Sequence, residues 1–329
     1  MQRDLLESAT TSLALWCVWC ALGTPAAFAQ AWPSKTITWI IPYAPGGFSD
    51  TRARRIGEHL GRALGQTVVI DNKAGAGGVV GTQLLAKAAP DGYTIAMGNL
   101  APLAVNVSLM KKLPYDPKTD VLPVILIERA PLIFMVNPSV QAKNVAELVA
   151  DAKKNPGKYQ FGSSGVGGAH HLSGEMFKFQ AGIDITHVPY KGGSAAATDL
   201  LAGHILMMFE LGYAALPSIK AGKLRALAVT GRARLDALPD VPTMAESGFT
   251  NFESYNWQGV IVPAGTPRDI VMRLNRELNA ILQAPDVREM IIGTAGEIAG
   301  GTPEAFGDFI RAETGRWAEV VQKANIQAE

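Results

Sequence analysis

Residues 36–64 read TITWIIPYAPGGFSDTRARRIGEHLGRAL, and this stretch decides the fold. Thr36 to Ile41 is β-branched and apolar, the composition of a strand. A turn, PYAPGG, follows. From Asp50 to Leu64 the residues Ile56, Leu60 and Leu64 recur at every fourth position, one face of a helix. Strand, glycine-rich turn and helix in that order is the building unit of α/β folds. The same plan returns at Tyr159 to Gly162 (strand), Ser163 to Gly168 (SSGVGG) and His171 to Gln180, a predicted helix with Leu172, Met176 and Phe179 on its inner face.

Working outward, strands are expected at Thr67–Ile70, Thr94–Met97, Thr186–Val188, Ile205–Phe209, Leu224–Thr230 and Trp257–Val262. Helices are expected after the Gly75–Gly81 link, with Leu84 and Leu85, and at Val145–Lys153, Ala195–Leu201, Pro267–Leu282 and Pro303–Ala324. A proline-rich loop precedes Val121–Val136 (VLPVILIERAPLIFMV), an extended apolar stretch long enough to leave one sheet and enter another. The expected organisation is therefore 32–128 as the first part of domain 1, 129–254 as domain 2, and 255–329 returning to domain 1. No Ser- or Gln-rich linker separates the halves, so they should lie closely apposed.

The 329 residues are 48% apolar and 18% charged, with 30 basic against 29 acidic side chains. That balance leaves no large basic excess for a phosphate backbone, and nucleic acid is not expected as a partner. Residues 1–29 read as a secretory signal. Ser12–Gly23 is an apolar run too short for a membrane span, and Ala27-Phe28-Ala29 or Ala29-Gln30-Ala31 offers the cleavage pattern, after residue 29 or 31. Its removal takes away Cys17 and Cys20, leaving a thiol-free chain suited to an oxidising compartment. No membrane-embedded segment is expected in what remains.

The two glycine-rich turns are the main candidates for chemistry. Each leads from a strand into a helix N-terminus, where unpaired N–H groups and the helix dipole favour an anion. Singly, either turn reads as a tight connection. Two of them, one per domain and both opening at the carboxyl ends of strands, point to an acidic ligand held between lobes. Ser49 and Asp50 are rival N-caps of the first helix. Other chemistries fail on spacing. Gly75-Ala76-Gly77-Gly78-Val79-Val80-Gly81 places its third glycine one residue late for a dinucleotide fingerprint, and GxSxG is absent. Adjacent His170 and His171 lack the i, i+4 spacing of a helical metal site. No cofactor and no metal are expected. His171 is read as a surface or loop-capping residue and His170 as a residue lining the crevice.

The runs IPYAPGGFSDTRAR, LGQTVVIDNKAGAGGVVG, PDGYTIAMG, LPYDPKTD, SSGVGGAHHLSGEMFK, THVPYKGG, AGKLRALAVT, LPDVPTMAESG and VPAGTP resemble the Bug family, the periplasmic solute receptors of tripartite tricarboxylate transporters. The resemblance extends from Trp32 to about Ile326. It implies a two-lobed, type II-like periplasmic binding protein of two α/β domains joined by two crossing strands, which closes on a small di- or tricarboxylate; the more apolar surface beside Phe48, where this sequence departs from the family, extends the expected ligands to an aromatic acid. It also implies membrane transporter subunits as partners. In that family the strand-to-helix loops hold the carboxylate, which here means Tyr43, Ala44, Pro45, Gly46, Gly47, Phe48, Ser49 and Asp50 in one lobe. The other lobe supplies Ser163, Ser164, Gly165, Val166, Gly167, Gly168, Ala169 and His170.

Two departures flank the expected pocket. The loop Gly98-Asn99-Leu100-Ala101-Pro102-Leu103 is more apolar than the family pattern, and Glu210-Leu211 stands where Asp-Asn is usual; Asn99 and Glu210 are added to the candidate contacts. Neither glycine turn carries a cation, so backbone dipoles should meet the carboxylates, with Arg52, Arg54 or Lys191 in reserve and Arg54 fixing its helix or a salt bridge. The rival reading is a secreted hydrolase of a small acidic ester or amide acting through Ser163 or Ser164 with His170. The hinge is expected within Leu122–Phe134 and Tyr255–Val262.

Overall fold

The computed structural model describes residues 32–190 and 192–326. The signal segment with its cleavage sites, Cys17, Cys20 and Lys191 lie outside them. The first sheet has β1 (Ile37–Ile41) between β2 (Val68–Asn72) and β3 (Thr94–Asn99), all parallel. It continues antiparallel through β9 (Tyr255–Pro263) to β4 (Val121–Val136), with β10 (Glu297–Gly300) on the outer edge of β4. The second sheet holds β5 (Tyr159–Ser163) parallel to β6 (Ile185–Pro189) and β7 (Met207–Leu211), and β4 antiparallel to both β7 and β8 (Arg225–Val229).

The 16-residue β4 belongs to both sheets. Val121 to Pro131 pair with β9, whereas Leu132 to Val136 pair with β7. At that handover the Leu132 N–H donates to Thr230 Oγ1 at 2.8 Å, and the Thr230 hydroxyl in turn donates to the Ser254 carbonyl. The second crossing of the chain, just before β9, is thereby knitted to the first. Helices cover both sheet faces, which is why the strands read as continuous apolar runs; Ile37, Trp39, Ile41, Phe161, Met208 and Phe209 are all inaccessible.

The first helix, α1 (Phe48–Leu64), buries Ile56, Leu60 and Leu64 as its periodicity predicts. It is followed by α2 (Val79–Ala86) and, after β3, by a π-helical turn (Ala101–Val105) running into α3 (Asn106–Leu109). Then come α4 (Val145–Lys154), α5 (Ala169–Ala181), α6 (Gly193–Ala202) and α7 (Gly212–Lys220). The chain ends with α8 (Arg268–Ile281), α9 (Pro285–Ile292) and α10 (Pro303–Lys323).

Four elements lie where the sequence reading placed none: the 101–109 helical stretch, α7, α9 and β10. Phe179 also departs from expectation. It is 53% exposed, because the buried stripe of α5 runs through Leu172, Ser173 and Phe177, whose ring packs 4.9 Å from Phe134.

Candidate functional site

The first glycine turn leaves the end of β1 and reverses at Gly46, whose φ of +77° favours a residue without Cβ. Gly47, extended at φ −80° and ψ −179°, is the N-cap of α1, and no side chain caps that helix. This corrects the expectation for Ser49 and Asp50. The Gly47 carbonyl accepts the first helical bond, from Thr51 N–H, so both residues sit inside the first turn. Asp50 instead reaches back, accepting the Gly46 N–H at 2.8 Å and the Arg54 Nε–H at 3.0 Å. Burial pushes its carboxyl up, but the bonds from Arg54, Gly46 and Asn72 and the Arg54 charge hold it below the ordinary aspartate value.

Ser49 Oγ accepts from Asn99 Nδ2 at 3.2 Å, which brings the predicted β3 loop residue against the first turn; Asn99 Oδ1 is buried without a hydrogen bond. The Tyr43 carbonyl accepts from Asn72, while Ala44 and Pro45 are exposed. Phe48 lies between the Arg52 guanidinium, 4.8 Å from its centroid, and the Tyr213 ring at 5.6 Å.

In the second turn Ser163 Oγ accepts the Gly165 N–H at 3.1 Å and meets His187 Nε2 at 2.6 Å. The Gly167 N–H donates to His171 Nδ1 at 3.1 Å. His171 is thus a loop-capping residue but not a surface one, being 4% exposed. Its ring lies 4.0 Å from that of His187. Burial, and for His171 also the neighbouring His187, lowers the two to about 3 and about 4 respectively. Val166 packs on the core, Ala169 is buried, and Gly168 is the N-cap of α5, again with no side-chain cap.

Ser164, His170 and Glu210 form a chain. Ser164 Oγ is 2.9 Å from His170 Nδ1, and His170 Nε2 is 2.8 Å from Glu210 Oε1, which also accepts the Leu211 N–H. Glu210 Oε2 is buried without a hydrogen bond, close to the first residue of α6, where a Cβ on Gly193 would stand 2.9 Å away.

Each loop lies against an element outside its own strand–helix unit. Phe48 of the first stacks on Tyr213 of α7, and Gly167 of the second lies so near α3 that a Cβ there would meet Leu109 Cδ2 at 2.7 Å and Asn106 Oδ1 at 3.7 Å. Asn106 is buried, with Nδ2 unpartnered. Sequence reasoning missed Asn106 and Tyr213 because the segments bearing them were read as loop. Arg52 is not a free cation: Nε donates to Glu128 Oε1 at 2.9 Å, the same group bonds Thr294, and Gln258 also donates to Glu128. Arg54 makes the expected salt bridge, to Asp50.

The two helices that follow the glycine turns, α1 and α5, thus both have glycine N-caps and no side-chain cap, an arrangement that favours an anion. The serine–histidine–glutamate order also matches that of a nucleophile relay. However, the N–H that follows Ser164, where acyl transfer needs an oxyanion donor, is taken by Ser163. Among the described residues no cluster of three or more His, Cys, Asp or Glu could hold a metal, and no helix is long and apolar enough to cross a membrane. A groove of about 770 Å³ along α5 and α10 contains none of the predicted site residues.

The pattern of the tripartite tricarboxylate transporter family receptors matches residues 52–326. BugT of Bordetella pertussis is 39% identical over 91% of this chain and 92% of its own. Among solved structures, Rpa4515 of R. palustris with adipate is 36% identical (TM-score 0.84, 90% of this chain and 99% of that one). The periplasmic binding protein BugD is 35% identical (0.82, 91% and 100%). MatC of Rhodopseudomonas palustris with bound malate is 30% identical (0.80, 88% and 99%).

Proposed function

The chain belongs to the tripartite tricarboxylate transporter receptor family, and from that premise we propose that it captures a small organic acid in the periplasm and passes it to the membrane subunits of such a transporter. The observation that carries this reading is the pair of helix N-termini that follow the glycine turns, α1 and α5, each with a glycine N-cap and no side-chain cap. One lobe, 32–128 with 255–329, supplies Tyr43 to Asp50 and Asn99; the other, 129–254, supplies Ser163 to His170 and Glu210. Carboxylates are met by backbone N–H groups, because Arg52 and Arg54 are engaged with Glu128 and Asp50. Relatives hold adipate and malate, and a dicarboxylate, tricarboxylate or aromatic acid suits a crevice that has Phe48 and Tyr213 at its edge.

Function ends at binding, with no turnover. Titration calorimetry against adipate, malate, citrate and benzoate, with product analysis of the same mixtures, should give saturable heat and unchanged acid. Turnover of the corresponding esters that disappears in Ser164→Ala would replace the receptor reading with the hydrolase one.

A further inference from the structure

The turn Gly75-Ala76-Gly77-Gly78, whose spacing fails as a dinucleotide fingerprint, links β2 to α2. Because β2 is parallel to β1, it leaves the same edge of the sheet as the first glycine turn. All four residues have positive φ, +148°, +45°, +61° and +93° in order. Such a run can aim successive N–H groups into one concavity, where an anion is favoured. The Gly78 and Val80 N–H groups donate to the Gly75 carbonyl, whereas those of Ala76 and Gly77 have no acceptor among the described residues. Gly78 is the N-cap of α2, again with no side-chain cap.

A turn of this shape is by itself only a connection, but a buried side chain is aimed into it. Asn106 on α3 is 4% exposed, and its Nδ2 is a buried donor without a partner. A Cβ built on Gly77 would meet that nitrogen at 3.9 Å and, its chain neighbours aside, no other atom of the described residues within 4 Å. The space in front of Gly77 is therefore open, and an unused donor borders it. A buried amide N–H left unpaired is costly, so an acceptor placed there is favoured. The other end of the same amide, Oδ1, stands 3.7 Å from the position of a Cβ on Gly167, so one side chain separates this turn from the glycine turn of the second lobe. Tyr43, from the first turn, also reaches it: its hydroxyl would lie 3.3 Å from a Cβ on Gly78 and bonds no described residue. Burial raises the Tyr43 phenol well above its ordinary value and keeps it a neutral donor.

The groups that border this space, two backbone N–H groups, an amide NH2 and a phenol, can all donate, and a carboxylate has lone pairs enough to accept from several at once. We propose that the 75–78 turn, with Asn106 and Tyr43, is a further anion subsite: it takes the far carboxylate of a ligand whose first carboxylate lies at the N-termini of α1 and α5, and so selects dicarboxylates over monocarboxylates of the same length. The proposal rests on the carboxylate-receptor reading and adds to it where the second charge is read.

The test is titration calorimetry of the mature chain with two matched pairs, adipate against hexanoate and malate against 2-hydroxybutyrate, in which one carboxylate is replaced by a methyl group. Wild-type protein should bind the dicarboxylate of a pair at least tenfold more tightly. Gly77→Asp places a fixed carboxylate in the open space, at an exposed turn position whose left-handed backbone aspartate tolerates. It should weaken the dicarboxylate at least tenfold and leave the monocarboxylate unchanged. Asn106→Leu, which keeps the side-chain volume and removes the donor, should weaken the dicarboxylate several-fold with the same indifference to the monocarboxylate. Equal affinity for both members of each pair in the wild-type chain overturns the inference and leaves the receptor reading intact. So does a dicarboxylate preference that persists in folded Gly77→Asp, or a loss that falls equally on both members of a pair. Failure of all four acids, and of citrate and benzoate, to bind removes the receptor reading and the inference with it.

Discussion

Arg52 and Arg54 stand two residues apart on α1, yet their surroundings give them opposite weights. Arg52 and Glu128 are 3% and 0% exposed, a pair whose breaking strands a charge in the interior. Arg52→Met should cost about 3–5 kcal/mol in urea unfolding. Arg54 is 55% exposed, and Arg54→Ala should cost less than about 1 kcal/mol. If the two variants unfold at the same urea concentration, the buried pair does not have the role assigned to it. The adjacent His171 and His187 rings set a pH dependence. Both release protons more readily in the fold than in the unfolded chain, so the unfolded state binds more protons below about pH 6.5. Their contribution is complete above that pH and fades as the pH falls toward 4 and then 3. Thermal unfolding should show Tm falling with acidification across this window, and His187→Gln should flatten the fall.

At the scale of elements, much of the fold was legible because burial on both faces writes strands as apolar runs. Val121–Val136 was read with the bounds it has, and the strand–turn–helix units at β1–α1 and β5–α5 were placed within two residues of their observed limits. What escaped is short or locally contradictory. α7 carries Pro217 inside nine residues, β10 is a four-residue edge strand of mixed polarity, and the π-helical turn at Ala101–Val105 follows no 3.6-residue period. Missing these elements hid Tyr213 and Asn106.

The glycine N-caps offer a direct experiment on the site. Gly47 has negative φ, and a Cβ there would touch only Ala44 O, at 3.5 Å, so aspartate fits the backbone. Gly47→Asp should raise Tm slightly in the absence of ligand, since an aspartate cap exceeds glycine by a few tenths of a kcal/mol. It should also weaken carboxylate binding more than tenfold by occupying the same N–H groups with a fixed anion. Unchanged affinity would place the carboxylate elsewhere. Gly167 is a poorer probe of binding, because its φ of +80° and its contact with Leu109 mix strain with any loss of affinity.

At the scale of the whole molecule, the two glycine turns lead into α1 in one lobe and α5 in the other, and an acid that engages both helix N-termini favours the lobes' approach over their separation. The stretch expected to carry that motion is the continuous β4, with a register shift against β8 between Phe134 and Met135 and the Leu132–Thr230–Ser254 hydrogen bonds tying its midpoint to the second crossing. Across the crevice the lobes meet at the Phe48–Tyr213 stack and where Leu109 approaches Gly167. A stacked aromatic pair is worth about 0.5–1.5 kcal/mol beyond its area, enough to shift an open–closed equilibrium by up to about tenfold. Tyr213→Ala should therefore leave each lobe folded, expand the ligand-free molecule in small-angle scattering, and weaken binding several-fold, with the compact form restored at saturating acid. Wild-type protein should itself lose radius of gyration when a tight acid is added. Identical scattering with and without that acid would mean that the lobes do not hinge, and that the two helix N-termini are held in fixed opposition by β4 and the residues packed around it.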